Sequence, residues 1–313
     1  MNAQAQKVKT FCRTAAALSI VGLLLYTLCY FFAGDGSDYF VAGHPLPLIA
    51  NILSIVSLIW FLCAGVLIPK DSLPTDDFMI ATGKPFAIAA APLVGTLAAG
   101  AISFTYYEPS DLIAVFFLHE KAVSASTICA LLCAIGAVLC GTYFFFRMIN
   151  VPGLNNACVV LGVGPIALLT GLCGLTYFEL DHHMNAPVKI GLQLAWIATM
   201  LFIISELRCT LNKAQPRRYL STACIAVFTN ACACAPLLKY LIAADNVSHK
   251  TRIFGYILFC ACNCVYIAYR LFQFYALCTK DTPTDSPAIS PDSDQTQGKD
   301  NQDGCQQQDS MAS

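Results

Sequence analysis

"AVSASTICALLCAIGAVLCGTYFFF", residues 122–146, runs without a single charged side chain. At 1.5 Å per residue such a helix crosses a hydrocarbon core of about 30 Å. Seven further runs read the same way: roughly 14–33, 47–68, 85–107, 154–177, 187–206, 219–243 and 251–277. Period-two alternation is missing from all of them, so each is expected as a helix, because lipid offers the backbone no hydrogen-bond partners. The composition agrees. Hydrophobic residues make up 57% of the 313 and charged ones only 12%, where a soluble domain carries about 25% charge. Mean hydropathy is +0.63. The expected fold is all-α, a polytopic transmembrane bundle of about eight spans whose principal non-protein partner is the lipid bilayer.

Basic residues set the expected orientation. With the N-terminus inside, Lys7, Lys9, Arg13, Lys70, Lys84, Arg147, Arg208, Lys213, Arg217, Arg218 and Lys280 face the cytoplasm, and only Lys121, Lys189, Lys250 and Arg252 face out. An even number of spans returns the C-terminus to the cytoplasm. The organisation expected is therefore a cytoplasmic N-terminus (1–13), a membrane domain (14–278) and a cytoplasmic tail (279–313). The first apolar run reads as a retained anchor, since its core is too long for a signal peptide and no clear small-residue cleavage site follows. The tail is rich in Pro, Ser, Asp and Gln and is expected to be disordered. "LCYF" (28–31) and "LTYF" (175–178) each close a span before an acidic loop, which hints at a four-plus-four repeat.

Of the 17 cysteines, all but Cys12, Cys209, Cys278 and Cys305 fall inside the apolar runs, and none falls in an outer loop. They read as small, soft apolar residues rather than a disulfide framework. Ala87, Ala91, Gly95, Ala99 and Ser103 form a ribbon of small residues on the third span, and Ala125, Cys129, Cys133, Ala137 and Gly141 form one on the fourth. Such ribbons let helix backbones approach, so these two helices are expected to pack together. Pro92, Gly164-Pro165 and Pro236 are candidate kinks. Lys239 and Arg270 are expected to reach the outer and inner interfaces respectively, as long cationic side chains do.

The densest chemistry lies in "YFELDHHMNAP", residues 177–187. Glu179, Asp181, His182 and His183 are candidate ligands for a divalent cation, with Glu179 and His183 spaced i,i+4. The competing reading is an aromatic anchor, a polar turn and a helix start with Asn185 as cap before Pro187. That reading is favoured, because histidines and acids collect in outer loops by default. No other cofactor is expected. His119-Glu120 does not extend to the zinc-protease pattern, since position 123 is valine, and neither a GxSxG elbow nor a phosphate-binding loop occurs. The net charge of −1 gives no nucleic-acid signal.

"GHPLP" (43–47), "MNAPVKIGLQLAWIATMLFIISELR" (184–208) and "YIAYRLFQF" (266–274) resemble stretches of uncharacterised multi-pass membrane proteins of anaerobic Firmicutes-type bacteria. The resemblance implies a bacterial plasma-membrane protein and brings no activity or site residues with it. The function expected is that of a non-enzymatic membrane component, a sensor or assembly partner. A small-solute or cation transporter is the alternative.

Overall fold

Apolar runs bounded by proline or polar turns become single helices in the computed structural model. It describes residues 3–35, 39–68, 85–106, 124–149, 159–178, 183, 185–211, 213, 215–243 and 246–280. These form eight helices: α1 (Ala3–Phe32), α2 (Pro45–Leu67), α3 (Pro85–Tyr106), α4 (Ala125–Ile149), α5 (Val163–Phe178), α6 (Pro187–Thr210), α7 (Pro216–Ala243) and α8 (Val247–Lys280). Among the described residues the only β pairing is one isolated bridge, Gly34 to Phe40. Seven helical stretches are long and apolar enough to cross a membrane, and α3 contributes a shorter apolar helix, Ala90–Tyr106. The chain is thus a helical membrane protein. Its flank is oily where α2 turns outward, with Leu48, Ile52, Ile55, Ile59, Leu62 and Val66 exposed. A patch of that size suits acyl chains rather than water.

Proline marks the helix starts because its missing N–H costs nothing at the first turn. Pro45, Pro85, Pro187 and Pro216 each open a helix. α1 begins at Ala3, so the apolar run from residue 14 continues a helix already under way. The tail beyond Lys280 and the segment "DLIAVFFL" (111–118) lie outside the described residues.

α7 is the hub, packed against α1, α2, α6 and α8. α3 lies against α4 and α8, and α5 against α4 and α6. The small-residue ribbons do bring α3 and α4 together: Cys133 Sγ lies 3.7 Å from the Ala99 carbonyl, and Thr96 Oγ1 3.3 Å from Cys140 Sγ. The closest seam is nevertheless α4 on α5. A Cβ added at Gly171 would lie 2.6 Å from Cys133 N, and one at Gly164 2.6 Å from Cys140 N. Gly136 faces the Leu168 backbone in the same way. Gly164 therefore serves close approach, which its reading as part of a kink did not anticipate. The pairs α1–α2 and α3–α4 have counterparts in α5–α6 and α7–α8, whereas the α6–α7 contact has no comparable α2–α3 contact among the described residues.

Candidate functional site

The loop between α1 and α2 folds by local chemistry. Gly43 takes φ +81°, a left-handed conformation that suits glycine. His44 then caps α2, the Leu46 N–H donating to His44 Nδ1 at 3.3 Å. Back-bonding of Val41 N to the Ala33 carbonyl (2.8 Å) turns the loop over the end of α1. Phe40 is thereby laid on Tyr30, ring centroids 4.9 Å apart, and Tyr39 is stacked on His183 at 5.8 Å.

His183 is the one candidate cation ligand whose position is described. Glu179, Asp181 and His182 lie outside the described residues. Among the described residues no three His, Cys, Asp or Glu side chains gather as a metal site. The turn before α6 differs from expectation in one respect. The N-cap is Ala186, not Asn185, and no side chain bonds there. The residue before a proline is driven to extended backbone. Ala186 adopts it at φ −60°, ψ 136°, while its N–H bonds the His183 carbonyl at 2.9 Å.

Two cations on this loop side cap helix ends. Lys189, buried on α6, donates to the Tyr177 carbonyl at 3.2 Å, at the C-terminal end of α5. Arg252 of α8 donates to the Thr105 carbonyl at 3.1 Å and lies over the Tyr106 ring, closing the end of α3. Terminal carbonyls lack intrahelical donors and sit at the negative end of the helix dipole, so both placements are favourable.

Below the folded loop a groove opens between α2 and α6. Both helices lie on α7, and α1 closes the back. Its volume is about 510 Å³, within the range of small-molecule sites, roughly 300–1,000 Å³. Ile55, Leu58, Ile190, Leu194 and Phe228 make its walls apolar, and Tyr30, Phe40 and Pro187 stand at its loop end. A polar ledge crosses it, where Tyr26 OH lies 3.0 Å from Ser54 Oγ and donates to Asn51 Oδ1 at 3.2 Å. Pro236, also in the lining, cannot donate to the Cys232 carbonyl four residues earlier, which leaves that acceptor without its helical donor. No acid, histidine, lysine or arginine is among the lining residues.

Gly191 shows how the groove is kept open. In membrane helices glycine normally marks a place where backbones touch. Here a Cβ at Gly191 would meet nothing within 4 Å, and the residue lines the groove. Its missing side chain is left as space.

The opposite half of the bundle is closed by an ion centre. Glu206 of α6 is fully buried and takes Arg270 Nε of α8 at 2.7 Å on Oε1 and the Tyr266 hydroxyl at 2.6 Å on Oε2. Arg147 of α4 reaches the same Oε1 at 3.4 Å and donates to Tyr143 OH at 2.8 Å. Arg270 also donates to Gln273 Oε1 at 2.6 Å. Phe144, Phe202, Tyr219 and Phe274 pack edge and face around these groups. Arg270, read from the sequence as a snorkelling cation, is wholly buried among protein side chains. Its charge is stabilised by Glu206, a partner that burial makes necessary. Glu206 was not singled out in the sequence because it closes the sixth apolar run, where an acid reads as the edge of a span. The usable signal was an acid and an arginine of opposite charge, each near the same end of an apolar helix.

Between the groove and the ion centre, Asn230 of α7 donates to Thr199 Oγ1 of α6 at 2.7 Å and to the Ala226 carbonyl at 2.8 Å. It faces another helix, as a deeply placed amide is expected to.

No protein-family model matches the chain, and neither the curated proteins nor the solved structures contain a significant match.

Proposed function

We propose that the protein is a non-enzymatic membrane component that binds the hydrocarbon part of an amphipathic molecule in the groove between α2 and α6, and acts as a sensor or presenter of that molecule. The observation that carries this reading is the 510 Å³ groove with an unfilled glycine, Gly191, on its wall. Its apolar walls suit a single hydrocarbon chain. The Tyr26–Asn51–Ser54 ledge offers hydroxyl and amide groups to a polar atom on it. The lining supplies no nucleophile paired with a base and no ionisable acid for proton coupling. Transport is less well supported, because the ion centre closes the other half of α4, α6 and α8. The basic residues gathered where α1 begins favour a cytoplasmic location for that side, with the groove in the outer leaflet of a plasma membrane.

Binding of a fluorescent long-chain fatty acid to the full chain in lipid nanodiscs tests the reading. Saturable binding is expected for the unmodified protein. Gly191→Trp fills the groove and is expected to weaken it at least tenfold. Tyr26→Phe, which removes one hydrogen-bonding hydroxyl worth about 1 kcal/mol, is expected to weaken it roughly fivefold if the ligand's polar atom uses the ledge. Unchanged binding in Gly191→Trp would remove the groove as the site.

A further inference from the structure

A second cleft lies where α1 and α8 diverge, on the side of the bundle where α1 begins. Its volume is about 320 Å³. Two cations of α1, Lys9 and Arg13, line it, and the rest of the lining is almost wholly apolar. Lys9 and Arg13 are four residues apart, so they stand on one face of the helix, where like charges repel. No acid is among the lining residues. Among the described residues, then, no carboxylate in the lining offsets the two cations at the mouth. Beyond them the cleft becomes a slot. Ala16 and Ala268 keep it open, Tyr275 lines it, and Phe272, 65% exposed, stands on its outward flank.

Positive charge at the membrane surface with an oily slot directly behind it has the shape and polarity of one lipid molecule. We propose that this cleft is a binding site for an anionic phospholipid, its phosphate held by Lys9 and Arg13 and one acyl chain lying between Ala16 and Ala268. Basic pockets between membrane helices recognise anionic head groups in this way. A zwitterionic lipid offers the same phosphate but brings its own cation toward Lys9 and Arg13. A free phosphate satisfies the charges and leaves the slot empty. Anionic lipid answers both features. This site is independent of the α2–α6 groove.

Native mass spectrometry of the full chain in detergent, titrated with phosphatidylglycerol, reads the site directly. One tightly bound lipid per chain is expected, with phosphatidylcholine at least tenfold weaker. Lys9→Gln/Arg13→Gln is expected to weaken phosphatidylglycerol about tenfold or more, since each cation near the surface contributes. Ala268→Trp fills the slot with both cations in place and is expected to weaken it comparably. Lys9→Arg/Arg13→Lys keeps the charge and is expected to bind as the unmodified chain does, and so is Gly191→Trp. Undiminished binding in the neutralised or the slot-filled variant would overturn the proposal. So would equal affinity for phosphatidylcholine, or displacement of the lipid by inorganic phosphate alone.

Discussion

Glu206→Gln is expected to destabilise the protein by about 3–5 kcal/mol, the usual cost of removing one partner from a buried ion pair. The substitution keeps the shape of the side chain and removes the carboxylate that Arg270 and Arg147 share. Arg270, fully buried, and Arg147, 12% exposed at its side chain, would then both lose the charge they share on Glu206 Oε1. Thermal unfolding in detergent, followed with a thiol-reactive dye that reports the buried cysteines, measures the effect. Glu206→Gln/Arg270→Met removes the buried cation as well and is expected to be more stable than Glu206→Gln alone. A double-mutant cycle should return a coupling of about 2 kcal/mol or more. A Glu206→Gln variant that melts with the unmodified chain would mean that the pair holds nothing together.

Gly171→Ala carries the second large effect. The added methyl would lie 2.6 Å from Cys133 N and 2.8 Å from Cys133 Cα, which are backbone atoms that no side-chain rotation can move aside. α4 and α5 must separate, and overpacking of this kind costs about 1–3 kcal/mol, more when backbones are forced apart. Gly171→Val is expected to fail to yield folded protein. Gly191→Ala is the internal control. The same chemical change there meets nothing within 4 Å, and replacing a helical glycine with alanine is favourable by about 0.5–1 kcal/mol. Opposite signs at the two glycines are expected in the same unfolding assay. Equal destabilisation would show that the α4–α5 seam is not set by backbone contact.

The helices were legible because the bilayer reduces the problem to length and charge. A run such as 122–146 has no alternative, and prolines such as Pro45 and Pro187 mark where helices start. What the sequence withheld is rotation and pairing. Gly164 reads as a breaker beside Pro165, yet which helix it touches depends on how α5 turns about its own axis. Arg270 reads as a residue that escapes to the interface, because snorkelling is the cheaper solution when no partner is known. Only the packing of α6 on α7 and of α8 on α7 brings Glu206 to it. The groove was illegible for a related reason: Gly191 looks like any membrane glycine until its neighbours are placed and found to be absent. Of the residues singled out in the loop before α6, His183 meets Tyr39, a contact between two loops far apart in the chain. Spacing within one segment cannot reveal it.

The ion centre also orders events during synthesis. Arg147, Glu206 and Arg270 emerge from the ribosome in that sequence, on the fourth, sixth and eighth helices. Until α8 is made, the two nearest described partners of Glu206, Arg270 Nε at 2.7 Å and Tyr266 OH at 2.6 Å, are missing, and the longer described contact to Arg147 precedes them. The centre is therefore completed only with the eighth helix, which carries both Tyr266 and Arg270, so a chain halted before residue 266 lacks the closest contacts of Glu206.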